Sequence, residues 1–301
     1  MSTGASIVEI PSPFRRDEGR VKVLEPADCN RARLRESLVT GAYRKPFIIE
    51  DRETRALHFS RDLIQSAMRL ADPCALEFAY TRKMMGFLLF THEPREILVL
   101  GLGGGSLVKY CHRHLPGSRV TVVEIDPDVV AFREQFRVPP DDERLSVLID
   151  DAAAYVARRP RTADVILMDA FDREGFAPSV ASSDFYANAR AALERKGVLV
   201  VNLVGEPRER VAHLERIRAT FDGNVILVPV EDDGNHIAFA FRDARFEPRW
   251  RWIAGQARGM RRRYGLDFPR FAGAFERSRK LGYLERTLRS RHLSDRLPRR
   301  G

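Results

Sequence analysis

Between residues 97 and 203 the sequence alternates short runs of consecutive apolar residues with helical segments, and this alternation constrains the fold more than any other feature. The runs are Ile97-Leu98-Val99-Leu100, Val120-Thr121-Val122-Val123, residues 145–149, Val165-Ile166-Leu167-Met168 and residues 198–203. A strand that is apolar at every position is buried on both faces, which requires a parallel sheet with helices on either side. The helices between are marked by Ser106 after a glycine-rich turn and by Pro127 at a first helical position. Ser182 or Ser183 caps a further helix over 183–193, which Gly197 ends. The series then changes. Residues 225–230 and 236–241 are apolar and flank Glu231-Asp232-Asp233-Gly234-Asn235, which predicts a hairpin and therefore an antiparallel last strand.

A sheet that stays parallel until a final reversed strand is the class I methyltransferase-like (Rossmann-like) α/β arrangement, expected here with seven strands. A dinucleotide-binding sheet is usually parallel throughout. Upstream, residues 73–90 show helical spacing, with Leu76, Tyr80, Met84, Phe87 and Leu88 on one side. Phe47-Ile48-Ile49 and Ala56-Leu57-His58-Phe59 surround Asp51-Arg52-Glu53-Thr54 and predict a β-hairpin. The expected organisation is a loosely ordered arm over 1–40, a small β-hairpin unit over 41–72, a catalytic domain over 73–245 and a basic helical extension over 246–301.

The chemistry gathers where strands end. Gly101-Leu102-Gly103-Gly104-Gly105-Ser106 follows the first strand and opens a helix. Such glycines let the backbone approach a ligand, and the helix N-terminus adds partial positive charge. Glu124 ends the second strand, where an acid can accept hydrogen bonds from both hydroxyls of a ribose. The alternative is a tight turn beside a surface carboxylate. Asp150-Asp151-Ala152 follows the third strand; Asp151 can accept from an adenine amino group or cap the helix through Tyr155 equally well. Asp169-Ala170-Phe171-Asp172 follows the fourth strand. Carboxylates at this place face the crevice where open α/β sheets bind ligands, and can hold a cationic amine and take its proton; the alternative is an Asp-rich turn with one of the two as a cap.

Together, residues 97–106, Val122-Val123-Glu124-Ile125-Asp126, Asp151-Ala152, the Asp169/Asp172 pair and Pro178 resemble the spermidine synthase family, the aminopropyltransferases. The likeness runs from about Phe47 to Phe241. It implies that Gly101, Gly103, Gly105, Glu124, Asp151, Ala152 and Pro178 bind decarboxylated S-adenosylmethionine, with Glu124 on the ribose, Asp151 and Ala152 on the adenine, and Pro178 beside the nucleoside. It implies Asp169 as the proton acceptor for the attacking amine and Asp172, Tyr80 and Gln65 as substrate-binding residues. The chain departs from the family on the amine side. Gly104 stands where the family has Asp, and Tyr80-Thr81-Arg82 where it has Tyr-His-Glu. Arg44 stands in place of a Gln, and the spacing to Pro178 is two residues longer. Two other readings therefore stay open: an S-adenosylmethionine-dependent methyltransferase, and a non-catalytic nucleoside-binding or scaffold protein.

Residues 246–301 hold 16 Lys or Arg against 5 Asp or Glu, a net of +11; the whole chain is +9, so the preceding 245 residues sit at −2. The basicity thus belongs to the tail and argues against a protein that binds nucleic acid over its whole surface. The tail reads as amphipathic helices packing Trp250, Trp252 and residues 268–275 on the main domain with arginine stems alongside. An acidic partner, membrane surface or RNA is the lesser alternative. Met84-Met85-Gly86-Phe87-Leu88-Leu89-Phe90 is far too short to span a bilayer. Residues 1–19 lack an apolar stretch behind a basic start, and Cys29, Cys74 and Cys111 are odd in number without metal-ligand spacing. A reduced cytoplasmic compartment, a homodimer, small-molecule substrates and no metal are expected.

Overall fold

The computed structural model describes residues 5–14, 19–61, 63–170, 178–231 and 234–294. The apolar runs become β6 (Glu96–Leu100), β7 (Arg119–Glu124), β8 (Leu145–Ile149), β9 (Ala163–Met168) and β10 (Leu193–Leu203), and the terminal hairpin is β11 (Val225–Pro229) with β12 (His236–Phe241). They form a seven-stranded sheet in the order β11-β12-β10-β9-β6-β7-β8. β10, β9, β6, β7 and β8 run parallel, and β12 pairs antiparallel with both β10 and β11. The reversed strand expected from the 225–241 pattern is therefore present. β10 begins earlier than the sequence suggests: Leu193 already pairs with Ala163, and a register shift before Val198 absorbs the polar Glu194-Arg195-Lys196 stretch.

Alternate strand residues feed two cores. Ile97 and Val99 point to one face, Leu98 and Leu100 to the other. The first face carries α2 (Ala79–Met84), α3 (Ser106–His114), α8 (Trp250–Tyr264) and α9 (Phe268–Lys280). The second carries α5 (Ala152–Ala157), α6 (Ser183–Ala192), α7 (Pro207–Thr220) and α10 (Tyr283–Ser294). A short α4 (Pro127–Ala131) follows β7 with Pro127 in its first turn and Asp126 accepting from the Asp128 N–H. Ser182 caps α6 by accepting from the Phe185 N–H. The single helix expected over 73–90 is shorter. The Ala75 N–H closes a turn on the Asp72 carbonyl, and Phe78 is extended, so α2 starts at Ala79 and continues as a 3-10 turn to Leu89.

The amino-terminal segment corrects the sequence reading. The expected hairpin is β3 (Phe47–Glu50) with β4 (Thr54–Ser60), but it lies inside a five-stranded antiparallel meander with β1 (Ala5–Pro11), β2 (Arg20–Pro26) and β5 (Leu63–Arg69). Residues expected to be a loose arm supply β1, β2 and α1 (Arg31–Thr40). Val8, Ile10, Val21 and Val23 alternate inward against Leu34, Leu38 and Phe47, a small core of its own. Pro11 and Pro26 sit at strand ends, where a missing N–H is tolerated.

The basic tail docks as helices. Ile253, Ala257, Met260 and Tyr264 of α8 and Phe268, Phe271, Ala272 and Phe275 of α9 are buried in the first core. The Tyr110 hydroxyl donates to the Tyr264 carbonyl at 2.7 Å. The Ser278 hydroxyl donates to the Leu227 carbonyl, and the Arg218–Glu285 ion pair at 2.9 Å ties α10 to α7. The tail thus wraps the β11 edge, which would otherwise offer unpaired backbone groups. Among the described residues no helix is long and apolar enough to cross a membrane.

Candidate active site

The carboxyl ends of β6, β7, β8, β9 and β10 open into one cleft of about 540 Å³, closed on another side by β5 and α2. Its floor depends on Gly101. This residue has φ +94°, donates its N–H to the Val123 carbonyl at 2.9 Å, and lies so close to β9 that a Cβ would strike the Asp169 carbonyl. Any side chain here would push the ends of β6 and β9 apart. Gly103 lines the cleft beside it; Gly105 does not, and instead forms the left-handed cap of α3 against Val138.

Glu124 is not a surface carboxylate. It is 9% exposed and lines the cleft. Its Oε2 accepts from the Leu102 N–H at 2.7 Å and its Oε1 from the Asp126 N–H at 2.9 Å. Two backbone donors fix the carboxylate, and each oxygen keeps a lone pair for a ligand hydroxyl. Burial raises its pKa above the ordinary carboxylate range, against those N–H bonds. At β8, Asp151 is the helix cap. Its Oδ1 accepts from the Ala154 N–H at 2.8 Å as the cap of α5, while the residue lines the cleft beside Ala152. Neighbouring Asp150 also lines the cleft and pairs with Arg158.

Asp169, half-buried at the end of β9, is held from two sides. The Tyr80 hydroxyl donates to its Oδ2 at 3.2 Å and the Asn202 amide to its Oδ1 at 2.9 Å. Asn235, from the loop before β12, donates to the Asn202 Oδ1 at 3.2 Å, so the Asn202 NH₂ end must face Asp169. Burial raises the Asp169 pKa, and the Asn202 and Tyr80 bonds lower it only in part. The result is a positioned carboxylate with more than ordinary proton affinity.

Gln65 and Tyr80 line the cleft, and Tyr80 stacks on Phe78 with ring centroids 5.7 Å apart. Pro178 opens a 3-10 turn whose Ser179 and Val180 line the cleft. Asp172 lies outside the described residues. Thr81 lines the cleft and donates its hydroxyl to the Phe78 carbonyl at 2.8 Å. Arg82 turns away to the carbonyls of Leu76 and Glu77, and Arg44 is exposed elsewhere. At Gly104 a Cβ would come within 2.7 Å of the Ser66 Oγ and 2.9 Å of the Phe136 ring, so this position has no room for an acid. Sequence reasoning missed Asn202, Asn235 and Ser66. Asn202 had a signal: it is a polar residue in an apolar run, at a strand's carboxyl end like Glu124 and Asp169.

The charge pattern is one-sided. Among the described residues, the charged side chains lining the cleft are Glu124, Asp150, Asp151 and Asp169, in a chain of net charge +9. No cluster of three His, Cys, Asp or Glu suited to a metal occurs among them. Such a cleft favours a cationic ligand.

Residues 77–226 match the spermine/spermidine synthase domain. The chain is 34% identical over 232 residues to the polyamine aminopropyltransferase of Chromobacterium violaceum, covering 77% of this chain and 89% of that protein. Among solved structures, a probable spermidine synthase from Corynebacterium glutamicum superposes with a TM-score of 0.60 at 23% identity, over 73% of this chain and 85% of the other. A spermidine synthase in complex with the transition state analogue AdoDATO gives 0.63 at 18% identity, over 81% and 84%. At these identities the two structures establish the fold.

Proposed function

Because the chain belongs to the spermine/spermidine synthase family of polyamine aminopropyltransferases, we propose that its cleft transfers an aminopropyl group from decarboxylated S-adenosylmethionine to an amine, releasing 5′-methylthioadenosine. The observation that carries this reading is Asp169: a half-buried carboxylate pinned by Tyr80 and Asn202, in a cleft whose charged lining, among the described residues, is acidic.

The chemistry is a displacement at the carbon beside a sulfonium. The amine lone pair forms the new C–N bond, and the C–S electrons leave with sulfur as a neutral thioether. The sulfonium is already a good leaving group, so the protein must align the two substrates and supply an unprotonated amine. Asp169 takes the amine proton. Its raised pKa suits that step better than an ordinary aspartate would. Glu124 accepts from the ribose hydroxyls, and Asp151 with Ala152 receives the adenine. Gln65 and Tyr80 contact the acceptor, and Asp172 holds its charge. Decarboxylated rather than intact S-adenosylmethionine fits the lining: an α-carboxylate would enter a site that offers Asp169 and no Lys or Arg among the described residues.

Calorimetry with the two sulfonium compounds, followed by methylthioadenosine release across a panel of diamines, polyamines and monoamines, tests the proposal. Preference for the decarboxylated compound and release with one amine support it. Preference for S-adenosylmethionine with methyl transfer replaces it, and binding without turnover on any amine leaves a nucleoside-binding protein.

A further inference from the structure

The tail carries a feature that docking does not use. α8 contains five arginines and no acidic residue. Its apolar residues Ile253, Ala257, Met260 and Tyr264 are buried in the first core, where α8 packs on α9 and the 3-10 turn after α2. At about 100° per residue, Arg251, Arg258 and Arg262 lie on the opposite side, within roughly 40° of one another. All three are exposed and make no ion pair or hydrogen bond among the described residues. The other two are engaged: Arg261 is 4.0 Å from Asp267, and Arg263 lies over the Tyr264 ring at 5.1 Å. Gly255 and Gly259 sit between the free arginines, and an added Cβ at either would meet nothing within 4 Å, so the stripe is sterically open. Flanking it, Trp252 is 50% exposed, its ring 4.9 Å from that of His92 at an interplanar angle of 65°.

We infer that this face of α8 binds the phosphate backbone of a single-stranded nucleic acid, with Trp252 as a platform for a base. The inference is independent of the chemistry in the cleft. The side-chain choice supports it: residues 246–301 contain fifteen arginines and a single lysine, Lys280. The guanidinium fork matches phosphate oxygens bidentately, and an ammonium does not. Three open arginines over about 16 Å of helix form a track for successive phosphates. An exposed aromatic ring beside such a track is what base stacking needs. A membrane surface fits less well. An interfacial helix sinks its apolar face into lipid, and that face of α8 is already committed to the core.

The test uses the full chain. Fluorescence anisotropy with a short labelled single-stranded RNA, and with the matching DNA, measures affinity across a salt series. Three phosphate contacts on a single strand predict a log–log salt slope of about −2. Arg251→Glu/Arg258→Glu/Arg262→Glu should weaken binding by about tenfold or more while the melting temperature holds, since all three side chains face solvent. Trp252→Ala should weaken it by about fivefold or more. Absence of binding at about 50 mM salt overturns the inference. So does binding that the triple variant leaves intact, equal competition by polyglutamate, or attachment to phosphatidylglycerol-containing vesicles without binding to the oligonucleotide.

Discussion

Asp169→Asn is the substitution that separates the base from its scaffold. The asparagine keeps the shape of the side chain. Its carbonyl can still accept from Asn202, whose orientation Asn235 fixes, and its NH₂ can donate to the Tyr80 hydroxyl oxygen. Both contacts survive, so the geometry should as well. Basicity is what disappears. A positioned general base contributes roughly 10²–10⁴-fold, which corresponds to about 2.7–5.5 kcal/mol of barrier at ~1.36 kcal/mol per decade. Methylthioadenosine release should fall by that factor, with nucleoside affinity unchanged because Glu124 and Asp151 supply it. Stability should move the other way. The folded pKa of Asp169 is raised, so its contribution to stability is complete below the unfolded value and is lost as pH rises through the folded one. At neutral pH the ionised group is a burden on the empty protein, and the variant should melt at the same temperature or higher. The acid limb of the wild-type kcat/KM profile, lying above the ordinary Asp range, should vanish in the variant. Discontinuous assay of methylthioadenosine with the best amine of the panel, across pH, reads all of this. Wild-type turnover in Asp169→Asn, or an acid limb that persists unchanged, refutes the assignment.

Glu124→Ala should lower affinity for methylthioadenosine at least tenfold by calorimetry, since each charge-assisted bond to a ribose hydroxyl is worth roughly 1.5–3 kcal/mol; unchanged binding would remove it from the ribose site. Lys109 is buried with its Nζ donating to the Phe136 carbonyl at 2.8 Å, and burial lowers its pKa to about 8. Because the folded state binds its proton less tightly than the unfolded state, wild type should gain stability relative to Lys109→Met as pH rises above about 8, in melts that fail the reasoning if the difference stays flat. Phe275, fully buried against Phe239 with centroids 4.6 Å apart, should cost about 3–5 kcal/mol when replaced by Ala in denaturant unfolding, and a small loss would mean the tail is not part of the core. Asp172→Asn should raise the acceptor KM with little change in kcat, and an unchanged KM would take it out of acceptor binding.

The strands and the acids at their ends were legible because their pattern is local. A run such as Ile97-Leu98-Val99-Leu100 can be satisfied only between two helical layers, and Glu124 and Asp169 follow such runs directly. The reversed strand was legible from a polar turn between two apolar runs. Other features depend on partners far along the chain. Residues 5–26 alternate too weakly, amid prolines and charges, to be read as strands; they become β1 and β2 because β3 and α1 supply the other side of their small core. Asn202 and Asn235 are ordinary polar residues until β10 and β12 are adjacent, so that Asn235 donates to Asn202 and Asn202 to Asp169. Gly104 was visible as a departure from the family, but only the approach of Ser66 from β5 and of Phe136 shows that the space for an acid is already filled. The arginines of the tail were countable from the start. Which of them are open to a ligand was decided by the face of α8 that the first core buried, because a helix has no inside until something packs against it.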